Sequence, residues 1–432
     1  MNKLLEIREF DSITCNEGYK DDASLKYLNP ETFDELEKLI LTFEGSAEAD
    51  AIDFLKISIK RNVGKVIQAK NHVGLIQMKN GFQVQILPKI SGNEVEDMKK
   101  TFLRMLRSLK DFPSKVFNDS NLRTGRMNLY EIFINMYIQE VRSLVKKGIR
   151  SAYLPIEDNL NFYKGKLMVK DQIKANSVHK ERFYVRYDEF RVNRPENRLI
   201  KSTLLKLQML SGSAENIKEI RQLLMNFEMV EISVNYIEDF SKVWIDRNTK
   251  DYETLIRWSK VFLLNQSFTT FSGGTTARAL LFPMEKVFEA YVAQNLKKVL
   301  ADLDWEVSAQ DKGHYLFNSP ELFALRPDIV ITREDRSVII LDTKWKLLTN
   351  NARQNYGISQ GDMYQTYAYS RKYETPEIWL LYPMSDEMSG EKDIFFTAMK
   401  DEKVEITIRV YFVDVVHIYE SLSILKDYMI KG

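Results

Sequence analysis

Apolar residues recur along this chain with two periods, and the changes between them mark out its parts. Up to about Lys89 they fall in short alternating runs, interrupted by one helical stretch near 30–41. The last two runs, 73–78 and 82–88, flank Asn80-Gly81. Asn-Gly between alternating segments predicts a hairpin, because both residues tolerate the positive φ of a tight turn. A small β-rich domain is therefore expected over 1–93. From Glu94 the repeat becomes helical, with amphipathic segments at 95–111, 129–147, 196–210, 214–229 and 251–265. Strand-like sequence between Tyr153 and Asp188 breaks the series, and Pro195-Glu196 after Asn193 carries ordinary helix-start signals. These features predict a mainly helical domain over 94–270, bounded by the loop 267–277 with its Gly273-Gly274. In the remaining segment, 271–432, an amphipathic helix at 282–300 precedes two strand-like runs, and a second helix follows at 359–373. The expected class is multidomain α/β, ending in a mixed sheet flanked by helices.

The two strand-like runs carry the chemistry. Arg326-Pro327-Asp328-Ile329-Val330-Ile331 and Val338-Ile339-Ile340-Leu341-Asp342-Thr343-Lys344 are separated by a short segment rich in turn formers. Centring the turn near Asp335 sets Asp328 opposite Asp342, so both carboxylates share one face. Like charges side by side on a sheet repel, which calls for a cation between them or a proton on one of them. Lys344, two residues beyond Asp342, falls on that same face. Paired carboxylates suit Mg²⁺, with Mn²⁺ as the alternative, and a nearby lysine suits hydrolysis of a phosphodiester. The plainer reading is an ordinary hairpin with solvated charges.

The flanking helices add candidates. Glu285 and Glu289 share a face of the helix at 282–300, and Glu289 lies inside its apolar stripe. It is either a further metal ligand or a solvated residue at the stripe's edge. Asp362, Gln365 and Tyr369 line one face of the helix at 359–373. That face either reaches the substrate or is plain helix surface.

Composition narrows the class. At 432 residues, 44% hydrophobic and 28% charged, the chain reads as a soluble protein of two or three domains. There is no long apolar run and no secretory pattern at the start, so a cytoplasmic location and no membrane partner are expected. The single Cys15 leaves no internal disulfide and no cysteine-built zinc site. The four histidines, His72, His179, His314 and His417, are scattered. No phosphate-loop motif occurs, so no nucleotide is expected on this chain itself. Net charge is only +1, but 95–150 holds twelve Lys/Arg against six Asp/Glu. Lys99, Lys100, Arg104, Arg107 and Lys110 lie largely outside the apolar stripe of their helix. They face DNA, a protein partner, or water.

Pro327-Asp328 with Asp342-Thr343-Lys344 resembles the two halves of the PD-(D/E)XK nuclease motif, and Gln365 with Tyr369 resembles the Q-x-x-x-Y element of one branch of those nucleases. Four blocks in order then resemble the McrC family, the nuclease subunit of the McrBC methylcytosine restriction system. They are 72–76 with 86–90, 188–200, Phe282 to Glu289, and the Asp328 and Asp342-Thr343-Lys344 core. The resemblance implies a PD-(D/E)XK fold for the C-terminal domain, with Asp328 and Asp342 as metal ligands and Lys344 as the catalytic lysine. Glu289 is implied as a further ligand, with Gln365 and Tyr369 accessory, and the carbonyl of Thr343, next to Asp342, is a further candidate for the metal. It also implies docking on an AAA+ GTPase ring of McrB type that recognises methylated double-stranded DNA. Two other readings stay open: a non-cleaving activator of that GTPase, and a stand-alone nuclease.

Overall fold

The alternating N-terminal segment folds as two small sheets, and the second takes in a strand from far along the chain. A computed structural model describes residues 4–22, 24–44, 54–78, 80–90, 94–110, 112, 127–247, 249–264, 278–388, 393–400 and 403–431. The chain divides into two compact units, residues 1–112 with 268–432, and residues 113–267. The expected boundary loop at 267–277 lies outside the described residues.

In the first unit, Leu25–Tyr27, Ser12–Thr14, Gly64–Ala69 and Leu55–Lys60 form one four-stranded sheet in that order. Helix Pro30–Glu44 supplies Phe33, Leu36 and Ile40 to the core it shares with Ile13, Ile67 and Ile86. The other four-stranded sheet runs Leu4–Arg8, Gln83–Leu87, His72–Gln77, Arg278–Pro283. Its expected central hairpin is present, with Gln77 paired to Gln83. The Asn80 side chain accepts the Phe82 amide across the turn at 2.7 Å.

Strand Arg278–Pro283 pairs antiparallel with His72–Gln77. Gly74 is required at this crossing. Its φ is +146°, and a Cβ there would stand 1.9 Å from the Leu280 carbonyl oxygen. The helix expected from 282 starts instead at Met284, because Phe282 and Pro283 finish the strand and Pro283 caps the helix Met284–Val299. Phe282 is fully buried, edge-on to Phe102 at 5.9 Å. Helix Val95–Leu106 accordingly packs in this unit, against Met284–Val299, although its periodicity groups it with the helical middle segment. Side-chain packing between residues so distant in sequence leaves no local trace.

The main sheet has six strands in the order Glu306–Ala309, Ile329–Thr332, Val338–Thr343, Glu377–Pro383, Lys403–Val413, Ile394–Lys400. Val338–Thr343 runs antiparallel to Ile329–Thr332 and parallel to Glu377–Pro383. Ile339, Ile340 and Leu341 are fully buried, as expected of a strand inside a sheet covered on both faces. Helices Met284–Val299, Gln360–Lys372 and Ile418–Lys431 belong to the same unit. The architecture is mixed α/β, as expected.

The second unit holds helices Leu129–Lys147, Pro195–Leu210, Ala214–Leu224, Tyr236–Lys242 and Glu253–Leu264, with a sheet of Ala152–Leu160, Phe183–Arg191 and Lys166–Leu167. Asn128 and Ser213 cap the first and third helices through their side chains. The run Asn193 to Arg198 acts as a structural pin. The Asn197 amide group donates to the carbonyls of Arg150 (2.9 Å) and Val192 (2.7 Å), and Arg198 pairs with Asp239 at 2.5 Å. Buried Glu131 accepts from Ser211 Oγ, the Gly212 amide and Asn216 Nδ2 at 2.6, 2.6 and 2.8 Å, so its charge is fully engaged.

Candidate active site

The hairpin register brings the acids together. Ile329 pairs with Leu341 and Thr332 with Val338. Extending that ladder by one residue sets Asp328 against Asp342, as the turn centred on Asp335 requires. Asp328 is held by the opposite strand, where Thr343 donates to its Oδ2 from the backbone amide at 2.7 Å and from Oγ1 at 2.6 Å. The Asp328 carbonyl accepts the Gln310 amide at 2.8 Å, which ties the strand start to its neighbour.

Asp342 is 1% exposed, and its Oδ2 stands 2.7 Å from Lys344 Nζ. That contact is a close ion pair without hydrogen-bond alignment, so the buried Oδ2 has no aligned donor among the described residues. Lys344 Nζ also donates to Gln365 Oε1 at 3.1 Å and lies 3.9 Å from Asp362 Oδ1. Gln365 Nε2 donates to the Tyr369 hydroxyl at 2.6 Å, which donates to the Arg326 carbonyl at 3.1 Å. Helix Gln360–Lys372, capped by Ser359, thus sets buried Tyr369 against the hairpin and the more exposed Gln365 within reach of Lys344. The chain of bonds returns to the residue two before Asp328 and fixes the ammonium relative to both acids.

Burial, then mutual repulsion, pushes Asp342 above the usual carboxylate range; burial does the same to Asp328, opposed by the two Thr343 hydrogen bonds. Burial works against the charge of Lys344, but the Asp342, Asp328 and Asp362 carboxylates outweigh it and hold the ammonium above its ordinary pKa. Glu289 is pushed up to about 7 by burial and by the charge of Asp328, while Gln310 Nε2, donating at 2.9 Å, pulls the other way.

Asp328, Asp342, Thr343, Lys344, Asp362, Gln365 and Glu289 line one cavity of about 800 Å³, together with Glu285, Lys286 and residues of the N-terminal segment, Phe10, Lys70, Asn71 and His72. Asn71 Nδ2 donates to Glu285 Oε1 at 2.9 Å. Among the described residues, no three His, Cys, Asp or Glu side chains are arranged to hold a metal by themselves. Glu289 shares the cavity, but it does not join the two aspartates in a three-acid cluster. The residues nevertheless fit a hard divalent cation. Asp328 and Asp342, two buried carboxylates with raised pKa values and one oxygen lacking an aligned donor, are the residues that could hold an ion such as Mg²⁺, which keeps several waters and seldom takes an all-protein cage.

Three contributors escaped sequence reasoning. Gln310 reaches Glu289 from a strand end with no motif around it. Trp345 donates its indole N–H to buried Glu9, 336 positions away, which ties the chain just past Lys344 to the N-terminal sheet. Lys346 continues the two-residue spacing of Asp342 and Lys344, which was the available signal, and its ammonium donates to the Gly357 carbonyl.

Fold and site together define a class: a multidomain α/β protein in which two aspartates and a lysine from adjacent strands of a mixed sheet converge in one cavity. Within that class the sequence is specific. Residues 67–383 match the family described as McrBC 5-methylcytosine restriction system component, and the chain belongs to that family. No curated protein matches it in sequence. Among solved structures it is similar to a chain of the half-complex from a tetradecameric assembly of Thermococcus gammatolerans McrB AAA+ hexamers with bound McrC. The TM-score is 0.71 at 19% identity, covering 99% of this chain and 100% of that one. At that identity the likeness is one of fold. A chain of the Thermococcus gammatolerans McrBC complex is also similar, at a TM-score of 0.49 and 23% identity over 69% of this chain and 88% of that one. Among the described residues, no helix is long and apolar enough to cross a membrane.

Proposed function

We propose that the protein is the nuclease subunit of a McrBC-type restriction system, hydrolysing DNA phosphodiesters in a cytoplasmic complex with an AAA+ GTPase that recognises modified DNA. The observation that carries this reading is the convergence of Asp328, Asp342 and Lys344, with Lys344 fixed by Gln365, in one cavity of a family member. In this reading the C-terminal part of the first unit is a PD-(D/E)XK domain.

Asp328 and Asp342 would hold Mg²⁺, with the Thr343 carbonyl completing the protein's share of the shell. When bound, the ion polarises the scissile phosphate and lowers the pKa of a water it holds. Thr343 keeps Asp328 in place through its amide and hydroxyl. Lys344 places a positive charge where the phosphorane gathers negative charge, which is electrostatic stabilisation. Gln365 and Tyr369 hold that charge in position. Glu289, held by Gln310, faces the same cavity as a further acid.

The test is cleavage of methylated and unmethylated duplex DNA by this chain with Mg²⁺ and its AAA+ partner, with and without GTP. Cutting that needs partner and GTP, and vanishes in Asp342→Ala, is the expected result. Stimulation of the GTPase with no cutting by the wild type would replace this reading with that of an activator. Cutting by the chain alone without nucleotide would indicate a stand-alone nuclease.

A further inference from the structure

The basic helix Val95–Leu106 divides its charges in a way the catalytic cavity does not use. Lys99 is buried against Glu6 at 3.2 Å, and Lys100 pairs with Glu96 at 2.9 Å, so both are spent on ion pairs within the unit. Arg104 and, just past the helix end, Arg107 line a separate cavity of about 440 Å³ with Tyr291, Lys298, His417 and Glu420. Its wall thus includes three permanently cationic side chains, Arg104, Arg107 and Lys298. Arg104 donates from Nη1 to the Val416 carbonyl at 3.4 Å, a long and weak bond, and its buried Nε has no hydrogen-bond partner among the described residues. His417 adds a donor and is held by Asp414 at 3.0 Å, a contact that raises its pKa. Asp414 also accepts the Val416 and His417 amides at 2.8 and 3.1 Å, so the following helix Ile418–Lys431 already has an acceptor at its start. The excess positive charge therefore belongs to the side chains and not to a helix terminus.

Position gives this cavity its meaning. Helix Met284–Val299 contributes Glu285 and Glu289 to the catalytic cavity and Tyr291 and Lys298 to this one. At about 100° per residue the two pairs project from roughly opposite sides of the helix, and at about 1.5 Å per residue their mid-points are also about 11 Å apart along it. The Arg104 guanidinium, with its buried Nε unbonded among the described residues and one long bond from Nη1, is the side-chain chemistry suited to phosphate oxygens.

We propose that this cavity is a second phosphate-binding site that holds a backbone phosphate of duplex DNA away from the cutting centre, an inference that rests on the DNA substrate proposed above. Arg104 and Arg107 grip the phosphate oxygens, Lys298 neutralises its charge, and Glu420 opposes a second phosphate at the same place. The contact carries no sequence information, which matches a subunit whose specificity resides in its partner.

The test is fluorescence anisotropy of a short labelled duplex with the full chain, in Ca²⁺ to prevent cleavage, over a series of salt concentrations. Arg104→Gln with Arg107→Gln should weaken binding about tenfold and lower the salt slope by about one phosphate. Lys298→Glu, at an exposed position that leaves folding intact, should weaken binding in the same direction. Unchanged affinity and slope in both variants would overturn the site while leaving the nuclease reading standing. Wild-type protein that fails to bind DNA at low salt, both alone and with its AAA+ partner and GTP, would overturn both. Thermal stabilisation by inorganic phosphate that is lost in the variants, with duplex binding unaltered, would make this a free-anion site and overturn the backbone assignment.

Discussion

Glu9 offers a quantitative test of how the N-terminal sheet is joined to the segment that follows Lys344. It is fully buried, accepts the Lys89 amide at 3.0 Å, and accepts the Trp345 indole N–H at 3.0 Å from each oxygen. Burial pushes its carboxyl from 4.5 up to about 8, although both hydrogen bonds favour the ionised form. Between those values the folded protein keeps a proton that the unfolded chain has released. Stability is therefore greatest below the unfolded value, falls as pH rises through the window, and levels off above about 8. At about 1.4 kcal/mol per pKa unit, the loss from about pH 5 to about pH 8 is on the order of 3 kcal/mol. That is a large part of the stability of an ordinary domain, about 5–15 kcal/mol.

Glu9→Gln keeps an acceptor for Trp345 and Lys89 but cannot ionise. Thermal melting of wild type and variant across this range should show the wild type losing about 5 °C more than the variant on going from acid to alkaline pH. The variant should be the more stable of the two above about pH 8. Parallel curves would refute the reasoning, because they would mean that Glu9 is either hydrated or ionised throughout.

The remaining predictions concern the cavity itself. Lys344→Ala and Asp342→Ala should each lower the cutting rate by about a thousandfold while leaving stimulation of the partner GTPase intact, measured in parallel on one preparation. Gln365→Ala removes the bond that fixes Lys344 and should slow single-turnover cutting by about 10–100-fold without weakening DNA binding; an unchanged rate would remove Gln365 from the positioning network. Because Asp328 and Asp342 both hold protons above the ordinary carboxylate range, Mg²⁺ binding should release protons and tighten as pH rises, read by calorimetry in buffers of different ionisation enthalpy. Metal-free Asp342→Asn, which removes one of two repelling buried acids, should melt higher than the wild type at alkaline pH, and Mg²⁺ should narrow the gap.

What could be read from sequence was what depends on short spacings. The hairpin places its acids by symmetry about Asp335, so the pairing of Ile329 with Leu341 follows from counting residues. Gln365 and Tyr369 share a face because they are four apart on a helix, and the Asn80-Gly81 turn is equally local. Contacts between distant segments left no such signal. Glu9 looked like any acidic residue until Trp345 was brought against it. Strand Arg278–Pro283 was hidden because Phe282, facing Phe102, fits a helical stripe as readily as a strand. The basic helix was ambiguous for a related reason: sequence can place five cations outside an apolar stripe, but only packing decides that Lys99 meets Glu6 and Arg104 lines a cavity.

The same contrast explains why the acid pair argues for function rather than stability. Ile339, Ile340 and Leu341 form a continuous buried run that needs no polar partner, and the strand would pack well if the apolar run continued through 342. Asp342 instead carries a carboxyl into the interior beside Asp328, where desolvation and repulsion both act against its charge. Lys344 offsets part of that penalty, and Thr343 offsets part of it for Asp328, yet both acids remain above the ordinary carboxylate range. Neither the ammonium nor the threonine fully satisfies the pair. A hard cation would supply what they lack, which explains two strained acids at the end of an otherwise apolar hairpin better than folding alone does.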